Sequence, residues 1–341
     1  MELLEGKYGN TVRYDNSPGL SEGDHSCKLY PPLALSKVSH PRPTETSTCF
    51  LSTCCRLLNV ESHFVDIIAM DPFSIPPALR CTYTGDAGYD LALEAALVLS
   101  VVVAIFAPFV PSPYGRFADP RFGPACSARV GWWLMELPAT VVFAAVFSWE
   151  YQGDLVPAVF AVIWALHYIN RGWLQPFLMR PARGQPATFS ALVVACGWLV
   201  TGLHAYLHAR YICRLGGYTT AWLADPRFVS GCLVYYAALA ANIHADAVTR
   251  SLRSQAEAAA GLRVYRIPQG GLFEFVSCPA YLTELLAWGG FAMATWSLAG
   301  VFILLVSAAN LVPRALETHR WYGRTFKDYP LRRRALLPYI L

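Results

Sequence analysis

Apolar residues in this chain gather in long blocks rather than at the short periods of a soluble domain. One block, from about Tyr89 to Val110, encloses Glu94 and is otherwise strongly apolar. At about 1.5 Å per residue it is long enough to cross a hydrocarbon core of roughly 30 Å. Similar blocks follow at about 130–149, 155–175, 188–209, 227–249, 279–297 and 299–317, each bounded by charge, Pro or Gly. They predict an all-α membrane protein, a bundle of about seven transmembrane helices whose last two are tightly joined. Residues 1–69 are mixed polar, rich in Ser, Thr and Pro, and show no sustained period. They are expected to form a disordered extension ahead of a membrane domain at 70–341. No basic segment leads into an apolar core, so a cleaved signal peptide is not expected, and Met70 is a candidate start for a shorter product.

Composition strengthens this picture. The 341 residues are 55% hydrophobic and 15% charged, with a mean hydropathy of +0.35, which belongs to the membrane class. The net charge of +4 is small and dispersed, which excludes a nucleic-acid binder. Of the ten cysteines, Cys27, Cys49, Cys54, Cys55 and Cys81 precede the first block and the others are scattered. None has paired zinc-ligand spacing, so no metal site is expected.

Basic residues set an orientation. Arg116, Arg121 and Arg129 follow block one, Arg180 and Arg183 follow block three, and Arg250, Arg253, Arg263 and Arg266 follow block five. The connection between blocks two and three holds only Glu150 and Asp154. The positive-inside rule then places the N-terminus in the lumen and the C-terminal tail in the cytosol, with the 210–227 connection fitting least well.

Ionisable residues at membrane depth are expensive and mark candidate function. Glu136 follows Trp132-Trp133 near the start of block two. It is either a carboxylate that reaches water at the span's end or a desolvated carboxyl that stays protonated and donates to a carbonyl. Tyr168, beside His167, Asn170 and Arg171, is a phenol suited to polarising a substrate oxygen; His167 also fits a helix-packing role. Asn242, Asp246 and Arg250 fall at i, i+4 and i+8, with Arg253 beyond, a stripe suited to ribose and phosphate or, for its arginines, to an interface. Tyr265-Arg266-Ile267-Pro268-Gln269-Gly270-Gly271 is a Pro/Gly loop led by arginine, ahead of Glu284, Trp288 and a tail with Tyr322 and Tyr329-Pro330. No Rossmann or P-loop glycine pattern is present, so any nucleotide binds among helices and their cytosolic loops.

From about Tyr114 onward the order of these pieces resembles the steroid 5α-reductase (3-oxo-5-alpha-steroid 4-dehydrogenase) family, with the reductase region at about 188–341. Tyr114-Gly115-Arg116, Glu136-Leu137-Pro138, Leu166-His167-Tyr168, Asn242-Ile243-His244, the Tyr265–Phe273 loop, Glu284 and Ala294-Thr295-Trp296-Ser297 carry the resemblance. It implies a multi-pass enzyme of the endoplasmic reticulum that uses NADPH to reduce the C4–C5 double bond of a 3-oxo-Δ4-steroid. Glu136 and Tyr168 would hold the 3-keto oxygen. Arg116, Arg171, Asn242, Asp246, Arg253, Tyr265, Arg266, Glu284 and Tyr322 would bind NADPH, with Arg183 nearby. The chain departs from the family pattern at Ala280, where asparagine is common, and at Met135, Thr318 and Gln175. Other readings of the same residues are a reductase of trans-2-enoyl-CoA or a polyprenal, a methyltransferase using S-adenosylmethionine, and a non-enzymatic scaffold or transporter of this fold.

Overall fold

A computed structural model describes residues 11–14, 84–109, 112–181, 183–184 and 188–341. Apart from Thr11–Tyr14, the expected extension at 1–69 and the candidate start at Met70 lie outside the described residues. Among the described residues, seven long helices dominate. They are α1 (Ala87–Phe106), α2 (Ala128–Glu150), α3 (Leu155–Tyr168), α4 (Ala191–Arg210), α5 (Pro226–Ser251), α6 (Pro279–Thr295) and α7 (Leu298–Thr325). Their starts follow local chemistry. Asp86, Ser127, Ser190, Asp225 and Ser297 cap the free amides of their helices with side-chain oxygens, and Pro279 opens α6, where its missing N–H is harmless.

Six of these elements are long and apolar enough to cross a membrane, the mark of a multi-pass membrane protein. α3 reaches that length with its continuation to Leu178; α6, at 17 residues, is the one that falls short, and it packs against α5. There Gly231 and Gly290 face each other: a Cβ on Gly231 would lie 2.6 Å from the Gly290 carbonyl oxygen, and one on Gly290 2.7 Å from that of Gly231. Two small residues let the backbones touch. On the outside, Val101, Ile105 and Phe106 of α1 are exposed, as lipid-facing side chains should be. Tyr89, Phe143, Trp164, Tyr235, Phe291 and Phe302 form the interior.

Some boundaries differ from the sequence pattern. α1 stops before Pro108, which disfavours helix in the residue ahead of it. α7 runs to Thr325, past the expected end near 317, and carries the tail's Tyr322 into the bundle. α3 is prolonged by a π-helical stretch, Ile169–Leu174, and a last turn, Gln175–Leu178. α4 likewise ends in a π stretch, Tyr211–Leu215. Of the short strands, β1 (Thr11–Tyr14) pairs antiparallel with β4 (Arg263–Arg266), and β2 (Ala125–Cys126) with β3 (Phe189–Ser190).

Because successive helices alternate in direction, two ends of the bundle can be distinguished. At one, Arg210 bridges Asp86 at 2.5 Å and also Glu150, Arg214 reaches Glu150 at 2.7 Å, and Arg227 pairs with Asp225 at 2.9 Å. The other end gathers the arginine-rich loops and the tail.

Candidate active site

The π-helical stretch after Tyr168 places the deepest part of the site. It brings Gly172 between α2 and α3, where a Cβ would lie 3.3 Å from the Glu136 Cβ and 3.7 Å from the Tyr168 Cδ1. Glu136 and Tyr168 therefore converge over a residue that has no side chain to separate them. Insertions of this kind are frequent at functional sites because they re-aim side chains without breaking the helix. Tyr168 is buried among Trp164, His167 and Trp288.

Next to this pair lies a buried polar knot. Arg171 donates to Asp246 at 3.3 Å and stands 3.8 Å from Glu284, while its guanidinium covers the Trp132 ring at 4.7 Å. Glu284 also accepts from the Trp288 indole at 3.0 Å and lies 3.6 Å from His167. Asn242 donates to the Ala280 carbonyl at 2.9 Å, to Thr283 at 3.0 Å and to Glu284 at 3.4 Å. The predicted stripe on α5 is thus split. Asn242 and Asp246 join the knot, whereas Arg250 turns to Gln175 at 3.2 Å.

Above the knot opens a cavity of about 460 Å³. Seven predicted cofactor residues line it: Arg116, Arg171, Asp246, Arg253, Tyr265, Arg266 and Tyr322. Asn242 and Glu284 stand behind its wall, toward Tyr168. Arg116 lies over the rings of Trp321 at 4.2 Å and Tyr322 at 5.2 Å. Arg253 donates to the Arg180 carbonyl at 3.0 Å, and Arg180 to the Arg253 carbonyl at 3.1 Å. Arg266 pairs with Glu257 at 2.5 Å and also donates to the Leu252 carbonyl. That arginine holds the Glu257 carboxyl down at about 2. A second cavity of about 1510 Å³ shares Arg116, Arg180, Arg250 and Arg253 and adds Arg129, Arg183 and Arg314.

The Pro/Gly loop closes over this region. Gly271 has φ +57, and a Cβ there would sit 2.6 Å from the His244 ring, so glycine is required both by conformation and by space. The tail secures the loop from outside. Arg333, buried, donates to the Pro268 carbonyl at 2.8 Å, and Ser277 is hydrogen-bonded to both His319 and Tyr329 at 2.6 Å.

The four departures fall in different places. Met135 turns away from the site, against Gly197 on α4. Ala280 lines the smaller cavity and lends its carbonyl to Asn242. Thr318 lines both cavities, and Gln175 holds Arg250.

The sequence reading gives no place in the cavity to Arg314, Trp132 or Arg333. Arg314 is buried inside α7, donates to Tyr281, Ser112 and Tyr114, and covers the Tyr114 ring at 3.6 Å. Its signal was available, since it is an arginine within a predicted span. Trp132 lines the smaller cavity with an indole N–H that is buried without a hydrogen-bond partner among the described residues. Arg333 was hidden among the other basic residues of the tail.

Comparison with known proteins points in one direction. A family model described as 3-oxo-5-alpha-steroid 4-dehydrogenase matches residues 186–341. The chain is 35% identical over 260 residues to 3-oxo-5-alpha-steroid 4-dehydrogenase 1 of Mus musculus, a match covering 74% of this chain and 98% of the relative. It is 36% identical over 256 residues to steroid 5-alpha-reductase DET2 of Gossypium hirsutum, covering 74% and 97%. Against 3-oxo-5-alpha-steroid 4-dehydrogenase 1 of Homo sapiens the identity is 32% over 262 residues, covering 73% and 95%.

Proposed function

The chain belongs to the 3-oxo-5-alpha-steroid 4-dehydrogenase family, and we propose that it reduces the C4–C5 double bond of a 3-oxo-Δ4-steroid using NADPH. The observation that carries this reading is the convergence of Glu136 and Tyr168 over Gly172, beside the inner wall of an arginine-lined cavity. A carboxyl and a phenol carried on facing elements, the phenol packed against Trp164 and Trp288, are suited to gripping one carbonyl oxygen. Hydrogen bonds from both draw electron density toward that oxygen and make C5 electrophilic, and in a dry site such donors act more strongly than in water.

The cavity's donor set fits NADPH. Six arginines line it against one carboxylate, Asp246, an excess of positive charge that suits a cofactor with several phosphate oxygens. The buried Trp132 indole adds a donor lacking a protein acceptor among the described residues. Arg116, Arg171, Arg253 and Arg266 would hold phosphates, Tyr265 and Tyr322 would offer ring faces, and Asn242, Asp246 and Glu284 would meet hydroxyl or amide groups. When bound, NADPH supplies the hydride. The rigid knot of Arg171, Asp246, Asn242 and Glu284 keeps the cavity wall in register with Glu136 and Tyr168, and such orientation accounts for much of a reductase's rate.

The arginine count of the loops supports an orientation with the cavities open to the cytosol, and the endoplasmic reticulum membrane is the proposed location. Microsomes containing the full chain, given NADPH and testosterone or progesterone, test the reading. The expected product is the 5α-reduced 3-ketone, with Glu136→Gln and Tyr168→Phe each lowering turnover about 10²-fold or more. Reduction of trans-2-enoyl-CoA with none of any Δ4-3-ketone would overturn the steroid assignment.

A further inference from the structure

The larger cavity, of about 1510 Å³, has no role in the scheme above. It shares Arg116, Arg180, Arg250 and Arg253 with the smaller one and adds Arg129, Arg183 and Arg314. Asp119 is the one carboxylate among its described lining residues, and it is already paired with Arg121 at 2.6 Å. Arg129 donates to the Met179 carbonyl at 2.7 Å, Arg180 to that of Arg253, and Arg314 to those of Ser112 and Tyr114. A carbonyl orients a guanidinium without cancelling its charge, so this cavity concentrates a positive field. Its uncharged polar lining includes Ser127, Thr188 and Gln255.

The rim sets this cavity apart from an anion site that faces only water. Phe177 and Leu178 line it, though neither lines the smaller cavity, and they are 63% and 49% exposed. They end the span Leu155–Leu178, while Arg129 stands in the first turn of the span Ala128–Glu150. Val130, next to Arg129, and Leu174, four residues before Leu178, are exposed as well and carry the apolar surface on along the two spans. Arginines at the ends of two spans, beside outward-facing apolar side chains, lie at the level where lipid phosphates meet acyl chains. Basic pockets between helices on the cytosolic side bind phosphorylated headgroups in this way.

We propose that the larger cavity binds the headgroup of a phosphoinositide from the cytosolic leaflet, its acyl chains against Phe177 and Leu178, and that the bound lipid weakens NADPH binding. The headgroup's phosphodiester and phosphomonoester together suit several guanidinium forks at once, and its ring hydroxyls suit Ser127, Thr188 and Gln255. The antagonism rests on the proposed use of NADPH in the smaller cavity. Four arginines belong to both linings, so each ligand neutralises charge that the other needs. Linkage makes the effect reciprocal, with NADPH weakening the lipid by the same factor.

The test places the full chain in nanodiscs of phosphatidylcholine alone, with phosphatidylserine, or with a phosphatidylinositol phosphate at matched headgroup charge. Native mass spectrometry reads the lipid retained, and fluorescence titration reads NADPH affinity. The phosphatidylinositol phosphate should be retained and should weaken NADPH binding about fivefold or more, while phosphatidylserine does neither. Arg129→Gln, outside the smaller cavity, should lower retention and remove the lipid's effect while leaving NADPH affinity in phosphatidylcholine unchanged. Equal responses to the two anionic lipids, the mark of surface potential alone, or no response to either overturn the inference. So does a soluble inositol phosphate that acts as potently as the lipid, because the ligand is then a free anion. If Arg129→Gln weakens NADPH binding in phosphatidylcholine alone, the larger cavity belongs to the cofactor and the inference falls. Should the variant fail to fold, the three wild-type nanodiscs and the soluble headgroup decide by the same criteria. Lipid retention needs no turnover, so a wild type that keeps the lipid but neither binds NADPH nor reduces any Δ4-3-ketone removes the proposed function and the antagonism, and upholds the lipid site.

Discussion

The two ends of the helix bundle use arginine in opposite ways. At the end without the cavities, Arg210, Arg214 and Arg227 are matched to Asp86, Glu150 and Asp225. Arg227 holds the Asp225 carboxyl down at about 2. At the cavity end, Arg129, Arg180, Arg253, Arg314 and Arg333 are held by backbone carbonyls, and Arg116 is held by aromatic faces. A carbonyl fixes where a guanidinium points but leaves its charge in place. Arginine paired with carboxylate closes a structure, whereas arginine held by carbonyls keeps a positive field for something else to neutralise.

Among the cavity-end arginines, Arg266, paired with Glu257, and Arg171, which meets Asp246 and Glu284, depart from the contrast; the more deeply buried Arg171 exposes it most to test. Arg171→Leu leaves two carboxylates buried without their cation, and stability should fall by about 3–5 kcal/mol. Arg214→Ala, at the half-exposed edge of the other cluster, should change it by about 0–1 kcal/mol. Thermal inactivation in detergent measures both, and equal losses would erase the distinction.

Arg116→Ala should separate affinity from stability. Losing a charge-assisted contact of about 1.5–3 kcal/mol should weaken NADPH binding roughly 10-fold to 100-fold, with little change in thermal stability. Titration of cofactor fluorescence reads the first quantity and a melt the second; a matched fall in both would mean that Arg116 is structural.

A smaller effect is expected at the tail. Arg333→Met frees the Pro268 carbonyl and loosens the loop without touching the cavity lining, so the KM for NADPH should rise by about fivefold to tenfold, in keeping with about 1–1.4 kcal/mol for one buried hydrogen bond. An unchanged KM would show that the loop holds its place unaided.

The smallest expected effect is electrostatic. Since Arg266 depresses the Glu257 carboxyl in the folded protein, the pair stabilises the fold at pH values above the ordinary carboxylate range. That contribution fades as pH falls toward about 2. Glu257→Gln should therefore lower stability near neutral pH by less than about 1 kcal/mol, given the pair's solvent access. Wild type and variant should converge in acid. A difference that grows on acidification would reverse the assigned sign.

Much of this architecture could be read from hydrophobic blocks alone, because a helix in lipid must satisfy its own backbone and so announces itself by length. Asn242, Asp246 and Glu284 stood out for a related reason, being polar where apolar residues are cheaper. What escaped depended on register and on distant partners. A π-helical stretch leaves no reliable local mark, yet it is what aligns Gly172 with Glu136 and Tyr168. Arg333 looked like any tail arginine, since its acceptor, Pro268, lies 65 positions away in the chain. The pairing of β1 with β4 joins a strand near the N-terminus to one that carries cavity-lining residues, a connection no local pattern encodes.

The reciprocal contact between Arg180 and Arg253 has an unusual genetic consequence. Each guanidinium grips the other residue's main chain, and a main-chain oxygen survives any substitution. Replacing one arginine therefore removes one strand of the clasp and leaves the second intact, unlike an ion pair such as Arg171 with Asp246, which either substitution abolishes. In a double-mutant cycle the two losses should add for the clasp and overlap for the ion pair, so the loop joint can weaken in two independent halves.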